Sequence, residues 1–336
     1  MSVKLIPARK PSLRLWKTLV TLFLIGWVTC VIAFDWWPMV REHWGIAMVM
    51  IGGSLIAGST PMGGGSVAFP ILVYGFGKSP ENARNFGLAI QALGMTSALL
   101  FIFGRGVPVQ RKLLACACAA AGVGIVLGTF WVTPYVSRSI VKLLFSCLWM
   151  SFAMVTLARN REFCELKTAP SLDWNDSARI GLPIGLLGGV IASMIGVGLE
   201  MLLYTVLILL FRCDLKVAVP TAVCATAIAS IIGAALHIGI GDIPRDIFGD
   251  WLACAPLVIF GAPAGTYIVT KIPRIKLLYF VSVLCVFQFL WTLWATPTHS
   301  TEWIFVGSTL TLAIVGFVFL YKRGKRDRQM AAVAAV

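Results

Sequence analysis

Two short stretches carry residues whose types and spacing could hold an anion without any cationic side chain. The first is Gly58-Ser59-Thr60-Pro61-Met62-Gly63-Gly64-Gly65-Ser66, continued by Val67-Ala68-Phe69-Pro70; the second is Gly196-Val197-Gly198-Leu199-Glu200. Successive glycines let an anion approach backbone N–H groups closely. A helix that starts just beyond them adds roughly half a positive charge at its N-terminus. Gly63, Gly64, Gly65 and Ser66 are the expected donors of one such nest, and Gly196 and Gly198 those of the other. Glu200 is the one acidic residue far from a segment end, and an ionisable group in apolar surroundings costs enough to be a functional candidate. Its carboxylate would favour the helix start yet compete with a bound anion. Protonation removes that conflict, so Glu200 is either a proton-coupling residue or a cap on neighbouring N–H groups.

The segments after each glycine stretch carry further polar candidates. Asn85 and Thr96 are eleven apart and share one helical face, as do Thr221 and Cys224. Asn85 and Thr221 fall at equivalent positions of the two segments, which predicts both beside the site. Gln91 lies about 120° off that face. Arg84 and Arg212 flank the two entrances, where they could attract anions, and read first as solvated topology signals. Ser66 and His237 could form a hydrolytic dyad, but their predicted depths put them more than about 10 Å apart by helix rise, beyond hydrogen-bond reach. The nine cysteines show no Cys-x-x-Cys and no metal-like spacing with histidine, so no metal or cofactor is expected and small buried hydrophobes are their reading.

The elements that must position these residues follow from the charge pattern. Of 336 residues, 59% are hydrophobic and 12% charged, half the roughly 25% of a soluble domain. Residues 85–104, 113–137, 217–241 and 277–301 contain no Asp, Glu, Lys or Arg. Each is long enough to cross a hydrocarbon core about 30 Å thick. A water-soluble enzyme, a disordered chain and a disulfide-rich secreted domain are excluded. The net charge of +14 resides in residues that cap apolar segments, which indicates topology signals and contacts with anionic lipid rather than nucleic-acid binding. The basic N-terminus leads into an apolar run from Thr18 to Phe34 with no small-x-small cleavage site before Asp35-Trp36-Trp37-Pro38, predicting a retained first helix.

Residues 43–77 and 180–211 are too long for one crossing and too short for two, and each carries its glycine cluster in the middle. Proline and consecutive glycines break helices, so each stretch is predicted as a re-entrant hairpin. The predicted crossings are 17–35, 84–104, 112–133, 139–159, 216–239, 249–270, 276–295 and 302–321. With cytoplasmic termini, 22 Lys and Arg then lie inside and six outside, a strong positive-inside bias. The expected fold is an all-α polytopic membrane protein: eight crossing helices plus two hairpins in an inverted repeat of about 135 residues. Its parts are residues 1–43 (N-terminus and first helix), 44–159 (first repeat), 160–178 (cytoplasmic linker), 179–295 (second repeat) and 296–336 (last helix and basic tail). Inverted repeats with helices broken at mid-membrane are secondary-transporter architecture, because such breaks are costly unless they line a cavity.

Thr60-Pro-Met-Gly-Gly-Gly-Ser-Val-Ala-Phe-Pro70, followed by Asn85-Phe-Gly-Leu-Ala-Ile-Gln-Ala-Leu-Gly-Met-Thr96, resembles the TauE/SafE family of sulfite exporters, over residues 45–295. The second repeat departs from that family's pattern, with two glycines where many members have three and with an added carboxylate at Glu200. The resemblance implies export of sulfite, an organosulfonate or a related sulfur anion across a bacterial inner membrane, driven by an ion gradient. Uptake of a thiosulfate-type anion, with Cys224 relaying the substrate, is the alternative. The expected partners are that anion and membrane lipid, with a homodimer left open.

Overall fold

The computed structural model describes residues 12–64, 68–69, 71–166, 170–296 and 300–333. Every described regular element is helical. A first helix, α1 (Arg14–Ala33), is followed by the short α2 (Trp37–Glu42) and by α3 (Trp44–Ser59), which ends at the first glycine cluster. A single π-helical turn, Ile71–Gly75, precedes α4 (Pro80–Arg105), α5 (Arg111–Leu127, extended by a π turn to Val132), α6 (Arg138–Ala158) and the short α7 (Asn160–Glu165). Then come α8 (Trp174–Ile195), α9 (Leu199–Leu209), α10 (Leu215–Gly239), α11 (Arg245–Lys271), α12 (Arg274–Ala295) and α13 (Ser300–Val333). Eight described helices are long and apolar enough to cross a membrane, and the chain is a multi-pass membrane protein.

Membership of the eight differs from expectation at two places. Trp174–Ile195 is among them, with 22 residues, about 33 Å by helix rise; a half-helix beginning near residue 180 was expected there. The predicted crossing at 139–159 corresponds to α6, a helix of 21 residues, some of whose side chains lie outside the described residues. Of the half-helix expected from Ser66, Ala68 and Phe69 are helical, with the Ala68 N–H on Gly64 O at 2.9 Å, while Ser66, Val67 and Pro70 lie outside the described residues. The described chain then forms the π turn Ile71–Gly75.

The two halves of the chain match element by element. α4 and α10, α5 and α11, and α6 and α12 begin 134 to 136 residues apart. The first pair even share a capping device: Ser79 Oγ accepts the Asn82 N–H at 3.2 Å, and Asp214 Oδ1 the Lys216 N–H at 2.9 Å. Each broken segment begins and ends at the same end of the bundle. For the first, His43 and Lys78 both reach Asp250 at the start of α11, at 2.5 and 3.3 Å. For the second, Gln110 just before α5 donates to Pro170 O at 2.8 Å and through its backbone to Thr221 Oγ1 at 3.0 Å, so α5, α8 and α10 all start together. α4 runs from one of these ends to the other.

Packing is reciprocal between the halves. α8 lies along α5, and α3 along α11. Small residues permit both approaches: a Cβ on Gly185 would lie 2.1 Å from Ala117 O, and one on Gly189 2.3 Å from Ala121 O. In the other crossing a Cβ on Gly58 would lie 1.9 Å from Ala262 O, and one on Gly265 2.2 Å from Leu55 O. Around these crossings the main apolar core collects residues of α4, α5, α6, α8, α9, α10, α11 and α12.

Candidate functional site

At both glycine clusters the chain overshoots and doubles back. Gly63 and Gly196 adopt left-handed φ of 67° and 81°, which a side chain would strain. After the first turn Gly64 has returned to the level of Ala57, where its Cβ would meet that of Ala57 at 3.4 Å. After the second, Gly198 lies against Gly188 and Ile191, with its Cβ 2.9 Å from each. The two returns meet. A Cβ on Gly63 would sit 2.8 Å from Glu200 Oε1, 3.0 Å from Gln91 Oε1 and 3.4 Å from Val197.

Gln91, eleven residues into α4, bridges the two breaks. Its Nε2 donates to Gly196 O at 3.3 Å, while its aliphatic stem packs on Gly64. Glu200, in the first turn of α9, accepts the Gly198 N–H on Oε2 at 3.2 Å. The carboxylate therefore already occupies a donor that an anion at this helix start would use. Its Oε1 and Gln91 Oε1 are buried and have no hydrogen-bond partner among the described residues. A buried acceptor without a partner is costly, and two of them face one glycine. On the side of Gly64 and Gln91 that faces α3 and α11 is a small, mainly apolar cavity of about 10 Å³, lined by Met50, Ala57, Met95 and Val258 among others.

Of the expected site residues, Gly63, Gly64, Gln91, Gly196, Gly198 and Glu200 thus come together. Gly65 and Ser66 lie outside the described residues. Asn85 does not reach the junction: it is six residues nearer the start of α4, and its Nδ2 donates to Asp242 O at 2.5 Å. Thr221 lies at the opposite end of the bundle, taking the Gln110 N–H on its hydroxyl and donating to Val217 O. Cys224 is buried in the main apolar core with Cys118. Helical periodicity fixes which face a residue is on but not its depth, and the six residues between Asn85 and Gln91 are nearly two turns, about 9 Å.

Two arginines are not solvated. Arg84 is 5% exposed; it pairs with Asp242 at 2.9 Å, donates from Nε to Asn85 Oδ1 at 3.0 Å, and places Nη1 3.5 Å from Ser193 O. His237 shares this group, its Nδ1 lying 3.1 Å from Asp242 Oδ2. Arg212 is held by Glu162 and lies against the rings of both Phe163 and Tyr321, which contact each other edge-on. Sequence reasoning missed both because their acidic partners are distant in the chain. The one available signal was that each lies near a helix start at the edge of an uncharged stretch.

A third group of charges joins His43, Lys78, Asp246 and Asp250 at the outset of α3, α4 and α11. His43, Asp246 and Asp250 are close enough to share a metal ion, but the Lys78 ammonium lies against both carboxylates and supplies the positive charge there.

A family model described as sulfite exporter TauE/SafE matches residues 45–292, the span that holds both glycine breaks and the helices around them. Comparison with curated proteins and with solved structures gave no match. With its paired halves, broken helices and glycine junction inside the matched span, the chain belongs to the sulfite exporter TauE/SafE family, a family of transporters rather than enzymes.

Proposed function

We propose that the protein is a bacterial inner-membrane secondary transporter that exports sulfite or an organosulfonate, with the two glycine breaks as re-entrant hairpins and Glu200 as the proton-coupling residue. The observation that carries this reading is the convergence of Glu200 Oε1 and Gln91 Oε1, both without partners, on Gly63. Ionised, Glu200 is itself the anion at the start of α9. Protonated, it presents an O–H that Gln91 Oε1 can accept, and its claim on the Gly198 N–H weakens. A substrate oxyanion then takes those N–H groups, aided by the glycines that leave the backbone bare. Binding of anion and of proton are therefore linked, and each favours the other.

With one end of each hairpin at its own end of the bundle, the membrane is crossed only by a swing of the surrounding helices past the junction. Gly63 packs against Glu200, Gln91 and Val197, and in this reading an oxyanion of four heavy atoms enters when the limbs part. Termini are cytoplasmic by the charge bias, so the first hairpin opens outward and the second inward. A dianion accompanied by one proton still carries net negative charge outward, which an inside-negative potential favours by about 2.3 kcal/mol per charge per 100 mV.

The test is flux of labelled sulfite in proteoliposomes with imposed pH and potential gradients, for wild type and Glu200→Gln. Saturable, gradient-dependent flux is expected, with anion affinity rising as pH falls. The Gln variant should bind anion with little pH dependence and transport it uncoupled or slowly. Wild-type pH dependence retained in Glu200→Gln would reduce Glu200 to a helix cap.

A further inference from the structure

The Arg84 group borders the outer side of the second glycine break, at the end of the bundle where α4 begins and α10 ends. Its parts are unequal in burial: Arg84 and His237 are 5% and 1% exposed, whereas the Asp242 side chain is 45% exposed. One carboxylate oxygen, Asp242 Oδ2, is held by both, 2.9 Å from Arg84 Nη2 and 3.1 Å from His237 Nδ1. Asn85 fixes the guanidinium through its Oδ1 and the loop through its Nδ2. His237 Nε2 is buried without a hydrogen-bond partner among the described residues. The backbone of Arg84 also touches the second break, 3.3 Å from a Cβ on Gly196. A solvent-reachable carboxylate thus plugs a buried, rigidly held cationic pocket that adjoins the chain reversal leading to Glu200.

We propose that Arg84 and His237 form a second oxyanion site at this mouth, and that Asp242 is its resident occupant, displaced when a small oxyanion arrives. The position of Asp242 Oδ2 marks where the incoming oxygen binds. Asp242 sits in the connection between α10 and α11 and can turn outward without moving a helix, whereas Arg84 cannot leave its pocket. Guanidinium and imidazole donors together favour an oxygen anion over a halide, since the geometry offers two directed hydrogen bonds to one oxygen. The competing explanation is purely architectural: Arg84 closes the C-terminal end of α8 by its contact with Ser193 O and pins the loop.

This site builds on the transport reading above, but its test is binding, so the two can fail separately. Sulfite binding to purified full-length protein is measured by calorimetry and by ligand-induced thermal shift, with chloride at equal ionic strength as control. Asp242→Asn is expected to bind sulfite about tenfold tighter than wild type, because the resident competitor has lost its charge. Arg84→Gln should bind at least tenfold more weakly, with Arg84→Lys between. A purely architectural role predicts that Asp242→Asn and Arg84→Gln both lose stability and neither gains affinity. Equal or weaker binding by Asp242→Asn, or no sulfite binding by either protein, overturns the site. If Arg84→Gln fails to fold, His237→Gln replaces it, with weaker binding expected and unchanged binding overturning the proposal. Tighter binding by Asp242→Asn together with absent flux would retain the site and discard the transport reading.

Discussion

At Gly63 a hydrogen atom stands where any other residue would place a carbon 2.8 Å from a carboxylate oxygen. Gly63→Ala therefore bears two costs, about 1–2 kcal/mol for a left-handed Cβ and displacement of Glu200 and Gln91. The expected result is a protein that still folds, with a modest fall in Tm, but whose sulfite affinity drops by a factor of ten or more. Wild-type affinity in a folded Gly63→Ala protein would remove the junction from the binding pathway. The glycine clusters and Glu200 were legible in the sequence because a broken helix and a lone acid in an apolar run are local features. Gln91 was the least favoured of the polar candidates, since its angular position was judged against Asn85 rather than against the breaks. Nothing local to Arg84 announces Asp242, which lies 158 positions away and meets it only after the halves interleave.

Element lengths were legible where charges bound them: α4, α5, α10, α11 and α12 begin within a few residues of expectation. α8 was not, because Asp176 and Arg179 sit inside its first turns and made the apolar run look shorter. The glycines of α8 answer a different demand from those of the breaks. Gly185→Val forces its side chain into Ala117 O, which lies 2.1 Å from an ideal Cβ, and overpacking of this kind costs about 1–3 kcal/mol. A clear drop in Tm is expected, while Gly26→Ala or Gly307→Ala, each with nothing within 4 Å of its Cβ, should leave stability unchanged or slightly higher. Equal effects at Gly185 and Gly26 would contradict the close crossing. At the other face of the bundle, α7 anchors α13. Burial raises Glu162, but the hydrogen bond from Tyr321 and the charge of Arg212 outweigh it and hold the carboxyl below its ordinary 4.5. A carboxylate so lowered stabilises the fold at pH values above the unfolded pKa, and that contribution is lost as pH falls through the folded one. Proteolysis near Tyr321 is thus expected to accelerate below about pH 4 in wild type, and to be fast already at neutral pH in Glu162→Gln.

For the whole molecule the sequence pattern predicts a repeat, and its charge bias an inversion, but not the way the halves interlock. Similarity at a period of about 135 residues says that two units exist; only the packing says which surfaces they exchange. α3 of the first half lies along α11 of the second, and α8 of the second along α5 of the first. A disulfide between cysteines placed at positions 88 and 233, where α4 meets α10, in a background freed of native cysteine, is expected to abolish flux that the reduced protein retains. Flux retained in the oxidised protein would place the moving boundary elsewhere.

That interlocking separates sequence order from mechanics. Each half has one helix seated on the other half so closely that no side chain fits between. In the proposed transport cycle a push at one mouth is carried to the far half along this shared beam instead of across a sliding face. The close-packed units are hybrids, each made of pieces from both halves.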